Sequence, residues 1–125
     1  MRDGKTAVLY VEDEPSLAEL LRTGLGLFGI IVSPIYCNGE ELLSKIGSPE
    51  FVEADILFLD IRLPGLTGLE LARHLRKVGE ARPIVIVSAY NRPDSDVLEE
   101  IHAVFQPKPF DFDEIVRTIQ SLLKC

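Results

Sequence analysis

Short apolar runs that alternate with helix-like segments constrain the fold of this chain more than any other feature of its sequence. Four runs are rich in branched residues and lack the polar–apolar alternation of a half-exposed strand; they are residues 7–11, 30–32, 56–59 and 84–87. Such runs are typical of strands that are covered on both faces, as in parallel sheets. A weaker fifth candidate covers residues 103–105. Pro34 closely follows the second run, which predicts that this strand lies at an edge of the sheet.

Helical patterns fill the gaps between these runs. The five predicted helices begin at or directly after Pro15, Asn38, Thr67, Asp94 or Ser95, and Asp111. Pro15 suits the first position of a helix, and Gly29 can end that helix. Thr67 and Glu70 have the spacing of a capping box, in which each residue satisfies a backbone N–H of the other. The fourth helix is short, and its start is the least sharply marked.

The order of elements is therefore strand then helix, repeated five times along the 125 residues. Connections between parallel strands are right-handed, so this order predicts one α/β domain over residues 1–125, with a doubly wound sheet and helices on both faces. Ligands of such sheets bind beyond the carboxyl ends of the strands. The chemistry of the chain should therefore be sought at that edge.

Composition excludes several other classes of protein. A net charge of −7 does not suit a domain that grips nucleic acid itself. The sequence lacks an apolar run of the roughly 18–20 residues needed to cross a bilayer. The apolar run near the N-terminus is too short for a signal peptide, which predicts a cytoplasmic protein without membrane contact. The two cysteines, Cys37 and Cys125, lack metal-ligand spacing and are interpreted as ordinary thiols.

Polar residues gather where the predicted strands end. Glu12 and Asp13 follow the first strand, Asp60 ends the third, Ser88 ends the fourth and Lys108 follows the fifth. Each residue alone has an ordinary interpretation as a helix cap, a turn residue or a surface side chain. Together they predict a site with two or three carboxylates, a hydroxyl and an ammonium group at one edge of the sheet.

The charges of this site indicate what it binds. Glu12, Asp13 and Asp60 contribute −3 and Lys108 contributes +1, so the site sums to −2. Two carboxylates about 4 Å apart repel each other by on the order of 4 kcal/mol at an effective dielectric constant near 20. A hard divalent cation removes that repulsion, which predicts Mg²⁺, with Mn²⁺ as an alternative. Asp60 is then the natural nucleophile for a phosphoryl group, giving an aspartyl phosphate that Lys108 and the Ser88 hydroxyl would stabilise.

These motifs resemble the receiver domain of two-component response regulators, and the resemblance covers nearly the whole chain. The residues that carry it are the acidic pair Glu12-Asp13, the phosphoacceptor Asp60 with the Pro64-Gly65 loop, Ser88-Ala89, Lys108-Pro109, and Phe105 three positions before the lysine. Single motifs of this kind are weak, but five of them in order are specific. The resemblance implies a flavodoxin-like sheet of strand order 2-1-3-4-5 and a cytoplasmic signalling protein.

The resemblance also implies a role for each residue. Metal ligands would be Asp13, Asp60 and the backbone carbonyl of Arg62, with Glu12 acting through water. Arg62 and Tyr90 match the positions that tune dephosphorylation. Ser88 and the aromatic residue at position 105 would form a switch that responds to phosphorylation.

Two departures from the family pattern bear on the output surface. Ile101-His102 stand where Gly-Ala is usual, and the fourth helix is short. Phe105 replaces the more common tyrosine, so its ring cannot form a hydroxyl hydrogen bond when it turns inward.

The sequence thus predicts a phosphoacceptor that takes its phosphoryl group from a histidine kinase or a histidine phosphotransfer protein. It would catalyse only its own phosphorylation and dephosphorylation, and partners would bind at the fourth helix, fifth strand and fifth helix. One alternative is a pseudo-receiver that binds proteins without being phosphorylated. The other is a haloacid-dehalogenase-type phosphatase, which needs an acid two residues after the nucleophile, where this chain has Arg62. With no DNA-binding domain after Cys125, we expect either a stand-alone receiver or a fragment of a longer regulator.

Overall fold

A computed structural model describes residues 5–89 and 92–124 of the chain. The strands are β1 (Ala7–Val11), β2 (Ile31–Tyr36), β3 (Ile56–Asp60), β4 (Ile84–Ser88) and β5 (Ala103–Pro107). The helices are α1 (Pro15–Gly26), α2 (Gly39–Ser44), α3 (Pro49–Glu53), α4 (Gly68–Lys77), α5 (Ser95–Glu100) and α6 (Phe112–Leu123).

The strands form one sheet in the order β2-β1-β3-β4-β5, and every neighbouring pair is parallel. Every residue of β1, β3 and β4 is buried, whereas the two edge strands are partly exposed. This pattern explains the continuous apolar runs of the three central strands, because both of their faces are covered. The predicted doubly wound fold, its strand order and the edge position of the second strand are confirmed.

Each face of the sheet carries its own core. Alternate residues of a strand point to opposite faces, so Leu9 packs with α2 to α5 while its neighbour Tyr10 packs with α1 and α6. On the second face, Leu21 and Leu25 of α1 meet Ile115 of α6 in the same cluster. The helices therefore cover both faces of the sheet and leave the carboxyl ends of its strands for the site.

The predicted helix starts are also confirmed. Thr67 and Glu70 form both hydrogen bonds of the capping box: the Thr67 hydroxyl accepts from the Glu70 N–H at 3.1 Å, and the Glu70 carboxylate accepts from the Thr67 N–H at 2.9 Å. Asn38 caps α2, Pro15 opens α1, and the helices α5 and α6 begin directly after Asp94 and Asp111. These signals act within a few residues, which is why the sequence alone carries them.

Three boundaries differ from the prediction. The second strand begins at Ile31 and continues through Pro34 to Tyr36, and the fifth continues to Pro107. Both strands lie at an edge of the sheet, where a proline without an N–H group is tolerated. The structure also contains one short helix that was not predicted, α3, although Ser48 caps it and a proline stands in its first turn. The predicted fourth and fifth helices are therefore α5 and α6.

The unusual turn before β5 keeps its shape through an arginine of α4. His102 has a positive φ of 50°, in the left-handed region that favours glycine. The Arg76 guanidinium donates to the carbonyl of Ile101 at 2.7 Å and to that of His102 at 2.9 Å. These bonds satisfy carbonyls at the end of α5 that have no partner within the helix.

Among the described residues, no helix is long and apolar enough to cross a membrane.

Candidate functional site

Two buried carboxylates lie where β1 and β3 end. Glu12 follows β1 and is 3% exposed, and Asp60 is the last residue of β3 and is 4% exposed. Asp13, the next residue after Glu12, is exposed. Because β1 and β3 are parallel neighbours, the carboxyl ends of both strands meet at the same edge of the sheet. The site therefore has a buried floor and an acidic group open to solvent.

Lys108 joins the two buried carboxylates. Its ammonium group donates to Glu12 Oε1 at 2.7 Å and to Asp60 Oδ2 at 2.9 Å. Its backbone N–H donates to the carbonyl of Ser88 at 2.9 Å, which fixes the turn after β5 to the end of β4. The following Lys108-Pro109 peptide bond is cis. A residue far along the chain is thus held directly against the predicted nucleophile.

The pKa values of Glu12, Asp60 and Lys108 are all shifted, but in different directions and for different reasons. Burial, reinforced by the negative charge of Glu12, raises the pKa of Asp60 despite the hydrogen bond from Lys108. Burial would also raise the pKa of Glu12, but hydrogen bonds from Lys108 and Tyr10 outweigh it and lower that pKa. Burial would lower the pKa of Lys108, but its hydrogen bonds to both carboxylates raise it. The ammonium group therefore stays charged, and Asp60 carries the less strongly stabilised of the two buried carboxylates.

Three carboxylates are close enough to share a cation. Ligand oxygens of Glu12, Asp13 and Asp60 all lie within 4.8 Å of one another. Carboxylate oxygens are the ligands that Mg²⁺ prefers, and a site that opens to solvent leaves room for the waters that Mg²⁺ retains. The donor set therefore fits a hard divalent cation.

The remaining predicted residues lie around this centre. Ser88 is buried at the end of β4, and Phe105 is partly buried against the core on the α2–α5 side. Arg62 is exposed, and its backbone N–H donates to Asp60 Oδ1 at 3.2 Å. The prediction for Tyr90 lies outside the described residues.

Two residues of the site, Gly68 and Tyr10, were not predicted from the sequence. A Cβ on Gly68, the first residue of α4, would collide with the backbone carbonyl of Asp60, so glycine lets this helix approach the main chain of the predicted nucleophile. The buried Tyr10 hydroxyl donates to Glu12 Oε1 at 2.7 Å. Strand alternation could have indicated Tyr10, because Glu12 directly follows β1 and residues 10 and 12 lie on the same face of the sheet.

The sequence of the chain also matches a known protein family. The model of the response regulator receiver domain matches residues 8–120 of the chain. The chain belongs to the response regulator receiver family. Response regulator MprA of Mycobacterium ulcerans (strain Agy99) is 33% identical to this receiver over 119 residues, which are 94% of the chain and 50% of the relative. The receiver thus spans about half the length of the curated relatives it matches.

Solved structures agree with the family. Response regulator protein TrrA from Thermotoga maritima, crystallised in complex with Mg(2+)-BeF, is 34% identical and has a TM-score of 0.80, with 94% of this receiver and 99% of TrrA covered. A structure of histidine kinase ThkA in complex with TrrA gives the same identity and TM-score, with 95% and 99% covered.

Proposed function

We propose that this receiver accepts a phosphoryl group on Asp60 from a histidine kinase or a histidine phosphotransfer protein. The observation that carries the proposal is the contact of Asp60 with Lys108, beside Glu12 and Asp13. A phosphoryl group brings negative charge to a place that already holds three carboxylates. The reaction therefore needs the positive charge that Lys108 and a cation would provide. The complex of ThkA with TrrA supports a kinase as the partner that supplies the group.

In the proposed transfer, a carboxylate oxygen of Asp60 attacks the phosphorus atom of the donor. A new O–P bond forms, the bond between phosphorus and the donor's histidine nitrogen breaks, and its electron pair stays with that nitrogen. The Lys108 ammonium nitrogen lies 2.9 Å from Asp60 Oδ2, so it can move to the phosphoryl oxygens and stabilise their negative charge. Ser88, at the end of the neighbouring strand β4, would supply a hydroxyl to the same group. In dephosphorylation, tuned by Arg62 and Tyr90, water would attack the phosphorus atom, the bond from phosphorus to Asp60 would break, and inorganic phosphate would leave. Beyond these two steps we propose no enzymatic activity.

Asp13, Asp60 and the backbone carbonyl of Arg62 would hold Mg²⁺, or Mn²⁺ in its place, and Glu12 would act through water. When bound, the cation supplies positive charge for the phosphoryl oxygens. The exposure of Asp13 suits a ligand that solvent and a metal can reach, whereas Glu12 is already engaged with Lys108. One relative of known structure supports a metal here, since TrrA was crystallised in complex with Mg(2+)-BeF.

Replacing Asp13 with asparagine should weaken Mg²⁺ binding at least about tenfold, because one of the three anionic groups that offset dehydration of the cation is lost. Isothermal titration calorimetry with Mg²⁺ measures the affinity of each variant directly. Glu14→Gln is the matched control: Glu14 lies next in sequence, but its carboxylate accepts from Ser16 at the start of α1. Unchanged Mg²⁺ affinity in Asp13→Asn, or an equal loss in Glu14→Gln, would contradict the proposed ligand set.

We further propose that phosphorylation changes the surface formed by α5, β5 and α6. Phosphorylation adds charge and acceptor oxygens at Asp60, and Ser88 would turn toward them and make room beside Phe105. The Phe105 ring is only partly buried and lines a groove with Leu98 of α5 and Val104. Complete burial of an exposed phenylalanine is worth about 1.5–3 kcal/mol, and burying the remaining exposed part of this ring would supply a fraction of that toward a shift between two states. An output protein or domain would read the change at this surface.

One experiment tests both halves of the proposal. The receiver is incubated with a small acyl-phosphate donor in Mg²⁺ or in EDTA, and intact mass and amide NMR spectra are followed together. We expect Mg²⁺-dependent gain of one phosphoryl group and shifts that extend to residues 95–123. No mass gain in Mg²⁺ would leave the pseudo-receiver as the better description. A mass gain with shifts confined to the site would overturn only the switch.

A further inference from the structure

We infer that Tyr10 is a positioning residue for the phosphoacceptor site: its buried hydroxyl holds the Glu12 carboxylate in place while Lys108 moves to the phosphoryl group. The inference rests on the proposed function, since it concerns how Lys108 is released. It goes beyond that function because it assigns a role to a residue of the core rather than of the strand ends.

The position of Tyr10 follows from strand geometry. Tyr10 and Glu12 are two residues apart in or directly after β1, so their side chains leave the same face of the sheet. The Tyr10 ring is completely buried and packs edge-on against Phe58, with ring centroids 6.4 Å apart and an angle of 89° between the rings. This packing fixes the ring, so the hydroxyl can reach only a narrow region at the end of the strand.

In that region the hydroxyl shares an acceptor with the lysine. Glu12 Oε1 accepts from Tyr10 and from Lys108, each at 2.7 Å. The other oxygen, Oε2, accepts from the Glu14 N–H at 3.2 Å. Tyr10 is therefore the first member of a chain of contacts that runs from its hydroxyl through Glu12 and Lys108 to Asp60.

The chain gives Tyr10 its proposed role. A buried carboxylate that loses a charged partner is costly unless other donors remain. When Lys108 turns toward a phosphoryl group, Glu12 keeps the Tyr10 hydroxyl and the Glu14 N–H. Tyr10 thus makes the departure of Lys108 less costly. A valine or isoleucine at position 10 would keep the position apolar but could not donate this bond.

The test uses Tyr10→Phe, which removes the hydroxyl and leaves the ring packing intact. With Mg²⁺ saturating, we expect beryllofluoride, as a stand-in for the phosphoryl group, to bind about three- to tenfold more weakly. This is less than the whole worth of a hydrogen bond to a charged group, because the Tyr10–Glu12 bond is also present before the ligand binds. The affinity for Mg²⁺ alone should change less than about twofold, because the hydroxyl donates to Glu12, which would act through water, and to none of the direct ligands Asp13, Asp60 and the Arg62 carbonyl. Tyr36→Phe is the matched control: it removes a hydroxyl from a buried tyrosine whose side chain packs on the opposite face of the sheet.

A double-mutant cycle separates positioning from mere stabilisation. If Tyr10 acts through Glu12, Tyr10→Phe should have no further effect on beryllofluoride binding in a Glu12→Ala background. Should that variant fail to fold, Glu12→Asp serves instead, because its carboxylate is one methylene shorter. Additive effects, or an equal loss in Tyr36→Phe, would overturn the inference.

The inference and the proposed function can fail separately. A wild-type receiver that binds no beryllofluoride and gains no phosphoryl group overturns the proposed function. The ¹³Cδ chemical shift of Glu12 still decides the role of Tyr10 in that case. It should move in Tyr10→Phe and not in Tyr36→Phe, and an unmoved signal would show that the hydroxyl does not hold Glu12.

Discussion

Replacing Asp60 with asparagine is expected to abolish Mg²⁺-dependent phosphorylation of the receiver. The amide is nearly the same size as the carboxylate but is not a nucleophile toward phosphorus, and it contributes no charge to a bound cation. Asp60 is buried at the end of β3, where it accepts a hydrogen bond from Lys108, which also contacts Glu12. The uncharged amide also relieves the repulsion from Glu12, so the variant should remain folded. Intact mass after incubation with a small acyl-phosphate donor measures the effect.

Asp55→Asn is the matched control for this experiment. Asp55 stands just before β3, at the opposite end of the same strand, and its carboxylate accepts from the Ala7 N–H at 2.8 Å. An asparagine oxygen can accept the same bond, so this variant should be phosphorylated at the wild-type rate. Phosphorylation of Asp60→Asn at a comparable rate would show that another residue is the acceptor.

The sequence carries the central part of the fold because the relevant forces act on short segments. The apolar runs of β1, β3 and β4 are covered on both faces, and the helix caps act over three residues. The strand order needs more than these patterns, since many orders satisfy right-handed crossovers. It came from the resemblance to receivers. The gathering of Glu12, Asp60 and Lys108 followed from one rule, that parallel strands place their carboxyl ends at one edge.

What the sequence could not carry depends on contacts between distant segments. Gly68 is required by the carbonyl of Asp60, eight residues earlier in sequence, and no local pattern marks that approach. Tyr10 is an ordinary core residue by periodicity, and only the position of Glu12 gives its hydroxyl a partner. The path of β2 through Pro34 depends on the strand lying at an edge, where the missing N–H costs little. Each miss arises where tertiary context overrides the local signal.

Lys108→Met is expected to destabilise the metal-free receiver more than the Mg²⁺-bound one. The lysine side chain is 10% exposed and is the cation that both buried carboxylates contact. Methionine fills a similar volume, but it leaves Glu12 and Asp60 without a positive partner, and removing one partner from such a buried group costs about 3–5 kcal/mol. The charge of the site falls from −2 to −3, so the variant should bind Mg²⁺ more tightly than wild type. Urea unfolding in EDTA and in Mg²⁺ gives the two free energies of unfolding.

The recovery in Mg²⁺ distinguishes charge compensation from packing. Saturating Mg²⁺ stabilises both proteins, so the variant regains, relative to wild type, the part of its loss that corresponds to its tighter binding, about 1.4 kcal/mol for each tenfold gain in affinity. Lys77→Met, at the last residue of α4, is an exposed control that should change neither free energy appreciably. If Lys108→Met were equally destabilised with and without Mg²⁺, Lys108 would act by packing, and the cation would not take over its role beside Glu12 and Asp60. In Mg²⁺ the Lys108→Met variant should be folded but should still gain no phosphoryl group. The Lys108 ammonium group is also the positive charge that would stabilise the phosphoryl oxygens during transfer.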